Sequence, residues 1–200
     1  NTTNINDISG LSDITANAKP ITVEERKARI EKAQSLMKAQ DIAAILVEPG
    51  AAMDYFSGIK WWRSERLTAL VIPQKGDMAV VTPFFEKPSV LESLAIGDDV
   101  RVWQEHESPF DVVANILKSR GITSGNIGFE SSVRYFVVTG VSQALPNMSI
   151  VPAEPITLGC RMYKTPSELG LMHKANEVTL RAYEFVFNNL KLGMSQQDDK

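Results

Sequence analysis

The feature that most constrains this chain is a series of short apolar runs, each bounded by turn residues and spaced by capped helices. Ala43–Val47 (AAILV), Leu67–Ile72 (LTALVI) and Met78–Thr82 (MAVVT) are most simply read as buried strands. The last two flank Pro73-Gln74-Lys75-Gly76-Asp77, a turn-rich linker that predicts a hairpin. Met53–Ser57, Val100–Trp103, Asn126–Glu130 and Ile150-Val151 supply further candidate strands. Helix signals fall between them. Thr22 with Glu25 forms a capping-box pattern, and Val23, Ile30 and Met37, joined by Ala33 and Leu36, carry an apolar stripe to about Gln40. The neighbouring Arg26, Lys27, Arg29, Glu31 and Lys32 read as a solvated face. Phe84–Ala95 reads as helical. Ser108-Pro109 opens a helix that stops at Lys118, Arg120 and Gly121, and another follows Ser131-Ser132 to Ala144. The alternation predicts an α/β fold: a mixed β-sheet flanked by helices on both faces.

Three segments are expected. Residues 1–20 are polar, with scattered Ile and Leu, and read as a tail or linker. Residues 21–158 form the α/β domain, with Val151–Thr157, which contains Pro152 and Pro155, read as an interdomain connector. Residues 159–200 begin something else. There Thr165, Pro166 and Glu168 start a long helix whose stripe (Leu169, Met172, Ala175, Val178, Ala182 and Phe185) runs towards Leu190 and needs a partner surface.

Composition narrows the function by exclusion. With 21 Lys+Arg against 24 Asp+Glu, the net charge of −3 argues against non-specific binding to nucleic acid or anionic membrane. No apolar stretch is long enough for a membrane span. One cysteine, Cys160, closes no intrachain disulfide, and two histidines, His106 and His173, leave no histidine-rich metal chemistry. A Cys160 thiol dyad with either histidine competes with a plain structural cysteine. The polar lead-in without an initiating Met favours an exported, periplasmic chain over a cytoplasmic one. No Gly-rich phosphate loop, H-E-x-x-H or paired-cysteine motif is present. The segment that stands out is Tyr55-Phe56-Ser57-Gly58-Ile59-Lys60-Trp61-Trp62-Arg63-Ser64-Glu65-Arg66. If it is extended, adjacent tryptophans cannot share one core layer, so one of the two is expected at the surface, where aromatic and Arg groups anchor ligands. The alternative is a loop whose Trp residues both pack on its own sheet.

Tyr55-Phe56-Ser57-Gly58, Ile127-Gly128-Phe129-Glu130 and Arg161-Met162-Tyr163-Lys164-Thr165-Pro166-Ser167-Glu168-Leu169 occur in an order that resembles the creatinase/prolidase/aminopeptidase P family, from about Ile21 onwards. The resemblance implies a two-domain parent, an N-terminal α/β domain followed by a "pita-bread" domain, with residues 159–200 as the start of the latter. It implies two divalent metals (Mn, Co or Zn) in the parent, held by two Asp, one His and two Glu. None of these ligands maps onto this sequence, so no catalytic or metal residue is assigned and the chain alone is expected to be inactive. The implied function is that of a non-catalytic N-terminal domain of an Xaa-Pro dipeptidase or aminopeptidase, assisting dimerisation and substrate gating. The implied partners are a second copy of the chain and a proline-containing peptide. By the same resemblance Arg66 corresponds to a carboxylate-binding arginine serving the neighbouring subunit, which suits a guanidinium. Phe84 or Phe85 supplies an aromatic that closes the pocket, with Trp61 and Trp62 as rival sources. Two alternatives stay open: a creatinase-like amidinohydrolase, and a stand-alone binding or assembly module.

Overall fold

The computed structural model describes residues 19–189. The expected tail lies outside those residues, apart from its last two positions. Thr22–Tyr163 forms one compact unit, so residues 159–163 belong with the α/β domain; the chain from Lys164 falls in a second unit.

The first unit contains helices α1 (Val23–Ala39), α2 (Ala51–Ser57), α3 (Lys87–Ser93), α4 (Pro109–Ser119), α5 (Tyr135–Ala144) and α6 (Glu154–Arg161). Its strands are β1 (Ala44–Val47), β2 (Ala69–Pro73), β3 (Ala79–Pro83), β4 (Val100–Trp103), β5 (Gly125–Phe129) and β6 (Met148–Pro152). They form one sheet in the order β4-β3-β2-β1-β5-β6. The β2–β3 hairpin is antiparallel, as is β1 against β2, whereas β3/β4, β1/β5 and β5/β6 run parallel. The expected mixed sheet is therefore present.

Strand residues alternate between two cores, as the pleat requires. Ala44 and Leu46 join Ala69, Val71, Ala79 and Val81 under α4 and α5, with Val113, Leu117, Val137 and Val141. Ile45 and Val47 join Leu70, Ile72 and Val80 on the other face, with Met37, Met53, Phe56, Val90 and Ile156 from α1, α2, α3 and α6. Because both faces are covered, the central strands are apolar at consecutive positions, which is why their sequences show runs. Thr22 Oγ1 accepts from Glu25 N at 3.1 Å, so the first cap forms as expected.

The sequence reading is corrected at three places. Met53–Ser57 is helical, within α2. Burial of Met53, Phe56 and Ser57 against the sheet decides it, because the tertiary core overrides a short apolar signal that periodicity cannot classify. The expected solvated face of α1 turns two arginines inward. Arg29 is buried and its Nη1 donates to Tyr55 O at 2.7 Å, while Arg26 Nη1 donates to Asp54 O at 2.6 Å. Both guanidiniums serve the Tyr55 carbonyl near the C-terminus of α2, Arg26 Nη1 donating to it at 3.1 Å as well as adding a second bond to Asp54 O. Finally, Val151–Thr157 is not a connector. It ends β6 and begins α6, whose Ile156, Thr157 and Cys160 are buried. Pro155 sits in the first turn, where its missing N–H costs nothing.

Tyr55-Phe56-Ser57-Gly58 is the seam between these parts. Phe56 fills the core, Ser57 Oγ donates to Met53 O at 2.6 Å and accepts from Ile59 N at 3.2 Å, and Tyr55 Oη donates to Cys160 O at 3.1 Å. Gly58 caps α2 in the left-handed region at φ 80°, its N–H donating to Asp54 O at 2.8 Å. A Cβ there would stand 2.6 Å from Ala95 Cβ.

In the second unit, α7 (Pro166–Asn189) starts with both halves of its capping box: Thr165 N donates to Glu168 at 2.8 Å, and Glu168 N to Thr165 Oγ1 at 3.2 Å. Among the described residues no helix is long and apolar enough to cross a membrane.

Gly58→Ala is expected to destabilise the unit by about 1–3 kcal/mol, combining left-handed strain with the Ala95 clash. Gly121→Ala, at φ 76° with open space around it, should cost less, since only conformation is at stake. Urea unfolding of the two variants checks the ranking; equal losses would remove the Ala95 contact as a cause.

Candidate functional site

The strand register gathers one set of loops at one end of the sheet. Val47 pairs with Leu70, Ala69 with Val81, Pro83 with Trp103, Leu46 with Phe129, and Phe129 with Pro152. Glu48, the 58–68 loop, Phe84-Phe85, Gln104–Glu107 and Glu130–Arg134 therefore share that edge. Here β1 and β5 are adjacent and parallel while the chain leaves them in opposite directions, β1 towards β2 and β5 towards β6. Such a switch point, outside the carboxyl ends of strands, is where open α/β sheets bind ligands.

The fold brings Arg66 and Phe85 together. The guanidinium carbon lies 5.3 Å from the Phe85 ring centroid, within cation–π range. Arg66 Nε also donates to Glu105 at 2.7 Å, and both side chains of this ion pair are well exposed. Hydrogen bonding to Glu105, followed by that carboxylate's charge, holds the Arg66 guanidinium above its usual pKa. Phe84 and Phe85 are each 56% exposed. The tryptophans divide as the sequence suggests: Trp61 packs against the core, and Trp62 is 88% exposed. With Gly50, Ala51, Asp54 and Lys60 they line a shallow cavity of about 270 Å³, to which Arg66, Phe84 and Phe85 do not contribute. The predicted residues thus form two neighbouring features on one edge rather than one pocket.

Glu48 and Arg134 are the residues that sequence reasoning missed. The Glu48 side chain is 0% exposed, at the end of β1. It accepts from Arg134 N at 2.9 Å, Arg134 Nε at 2.9 Å and Arg134 Nη2 at 2.6 Å. The remaining Nη1 donates to Ser64 O at 2.5 Å, and the guanidinium lies 4.8 Å from the Phe136 ring centroid. Arg63 makes a similar cross-tie, donating to Ser132 O at 2.7 Å. An acid closing an apolar strand was the available signal, but Glu48-Pro49-Gly50 reads first as a chain break.

Glu130, which ends the Ile127-Gly128-Phe129-Glu130 motif, has its carboxyl pushed up, first by burial and then by the charge of Glu154; Arg161 and Arg63 act in the opposite sense. Glu154 is itself pushed up by burial, yet Ser131 N, donating at 2.5 Å, more than offsets this and leaves it below its usual range. Cys160 is buried and burial raises its thiol pKa, an environment that suits a structural residue rather than a nucleophile. Among the described residues no group of three or more His, Cys, Asp and Glu is placed to hold a metal ion. A larger cavity, about 390 Å³, lies at the opposite end of the sheet, beside Gly76, Asp77, Gly97 and Asp98, away from every predicted residue.

Together the fold and this edge define an open-sheet α/β module that presents arginine and aromatic side chains. Residues 29–163 match the Creatinase/Prolidase N-terminal domain, and the chain belongs to that family. It is 26% identical over 189 residues to an uncharacterized peptidase of Schizosaccharomyces pombe, covering 88% of this chain and 40% of that protein. It is also 26% identical over 159 residues to a probable dipeptidase PepE of Mycobacterium tuberculosis, covering 78% and 41%. Among solved structures, dipeptidase PepE of Mycobacterium ulcerans superposes with a TM-score of 0.74 at 27% identity, covering 87% of this chain and 46% of that one. The N-terminal domain of an Xaa-Pro dipeptidase from Lactobacillus brevis shares the fold, with a TM-score of 0.60 at 17% identity, covering 68% and 99%. The chain spans about 40% of the length of the curated relatives it matches.

Glu130→Gln provides a pH test of this edge. A raised folded-state pKa means that the unfolded chain ionises first as pH rises, so Glu130 costs stability from about pH 4 upwards. The variant should match the native protein near pH 4 and gain on it towards pH 7, as read by thermal melts across that range. A constant difference at every pH would contradict the assignment.

Proposed function

We propose that this chain is the N-terminal, substrate-gating part of a peptidase that cleaves Xaa-Pro dipeptides or related peptides, and that it works in a homodimer. The carrying observation is the exposed Arg66 stacked on Phe85 at the edge where the carboxyl ends of the strands gather. Family membership and the dipeptidases among the relatives support the peptide substrate. In this reading Arg66 leaves Glu105 to grip the free carboxylate of a short peptide, for which a guanidinium fork is better suited than an ammonium. Phe85 and Phe84 cover the apolar side of the substrate, and Trp62 with Trp61 borders the entrance. The contact is made to a substrate held by the neighbouring subunit. Hydrolysis belongs to the partner domain, with two divalent metals as part of this proposal; no step assigned to the present residues runs through a metal. The chain by itself positions and selects.

In the full-length protein Arg66→Ala is expected to lower kcat/KM on a free-carboxylate dipeptide by about ten- to a hundredfold, mainly through KM. Arg66→Lys should recover little of it. The C-terminally amidated dipeptide should lose far less. Equal losses on both substrates, or none on either, would reject the carboxylate role.

A further inference from the structure

The loop that carries Trp62 and Arg66 has no regular secondary structure between Gly58 and Leu67, yet it is tied at its middle. Two guanidiniums make the tie: Arg63 of the loop donates outward to Ser132 O, and Arg134 reaches in from a charged base on the sheet. Arg134 uses Nε and Nη2 on the buried Glu48 carboxylate and extends Nη1 to the Ser64 carbonyl, two residues from both Trp62 and Arg66. Glu48 is fixed by β1 and by the Arg134 backbone N–H, so the fork has a rigid base on the sheet. The geometry points to Arg134 as a positioning residue: it latches the 59–67 loop to the end of β1 and so sets where Arg66 and Trp62 meet a ligand. It touches no substrate. This rests on the carboxylate reading of Arg66 for its functional consequence, but not for the latch itself.

The residue type follows from the task. A lysine ammonium is a point charge and can neutralise Glu48, but its one nitrogen cannot reproduce a planar fork that reaches two acceptors in different directions. Removing the cation entirely would leave the buried Glu48 carboxylate uncompensated and threaten the fold. Arg134→Lys is therefore the informative change, with Glu48→Gln/Arg134→Gln as a second variant in which no buried charge is left over.

The loop supplies its own reporter, because Lys60, Arg63 and Arg66 are three trypsin sites within it. In the native protein the latch should keep them resistant. Loss of a charge-assisted hydrogen bond is expected to raise cleavage at these sites about tenfold or more in Arg134→Lys, with cutting elsewhere unchanged. In the full-length protein the same variant should raise KM several-fold for a free-carboxylate dipeptide, leaving kcat and the amidated substrate nearly unmoved. The double variant should behave alike. Unchanged cleavage within the loop would overturn the latch. Faster cleavage with unchanged KM, in a protein where Arg66→Ala does raise KM, would overturn the positioning role. If Arg66→Ala itself spares the carboxylate substrate, the proposed function fails, and the latch still stands or falls on the trypsin sites.

Discussion

Burial of the sheet on both faces is the constraint from which the remaining arrangement follows. Ile45 and Val47 face one core while Ala44 and Leu46 face the other, so the central strands β1 and β2 carry no polar side chain along their length. Polar groups then collect where strands end. The mixed directions of the strands bring the carboxyl ends of β1, β3, β4, β5 and β6 and the entry to β2 to one edge. Five loops that are distant in sequence become neighbours there. Glu48 shows how strict the constraint is: one residue beyond Val47, its carboxylate is still fully enclosed and needs a cation of its own.

Much of this was legible in the residues. The AAILV, LTALVI and MAVVT runs and the Pro73–Asp77 linker identify β1 and the β2–β3 hairpin, because double-sided burial writes itself as consecutive apolar residues. Thr22 and Thr165 mark their helices because a cap is a local bond between residues three apart. Local signals failed where a distant partner decides. Met53–Ser57 reads as a strand until the core that swallows Phe56 is known. Arg26 and Arg29 read as solvent-facing until α2 presents its carbonyls to them.

The candidate site divides in the same way. An exposed tryptophan was one of two readings open from the adjacency of Trp61 and Trp62, since on an extended segment they point to opposite sides, and Trp62 is the exposed one. The pairing of Arg66 with Phe85 and Glu105 could not be read from the residues, for it joins loops 19 and 39 residues apart in sequence (85 − 66 and 105 − 66). The motif residues that carried the family resemblance also have different work. Ser57 and Gly58 close α2, and Gly128 lets Ala153 approach, a Cβ there standing 3.3 Å from its Cα. These residues report the scaffold. The proposed recognition residues are the less patterned side chains between them.

The first and last helices of the α/β unit share one core: Ala33 and Met37 of α1 lie with Ile156 and Cys160 of α6, and Tyr55 reaches the Cys160 carbonyl. A chain emerging from the ribosome therefore holds α1 without a completed partner surface until residues near 160 are released. Vectorial synthesis can assemble the hairpin early, but this face of the unit closes last. The same closure sets Tyr163 beside the middle of α1, its ring 5.2 Å from the Lys32 ammonium, so a circular permutant that opens the β2–β3 turn needs a linker running back roughly 15 Å along α1 to reach its start.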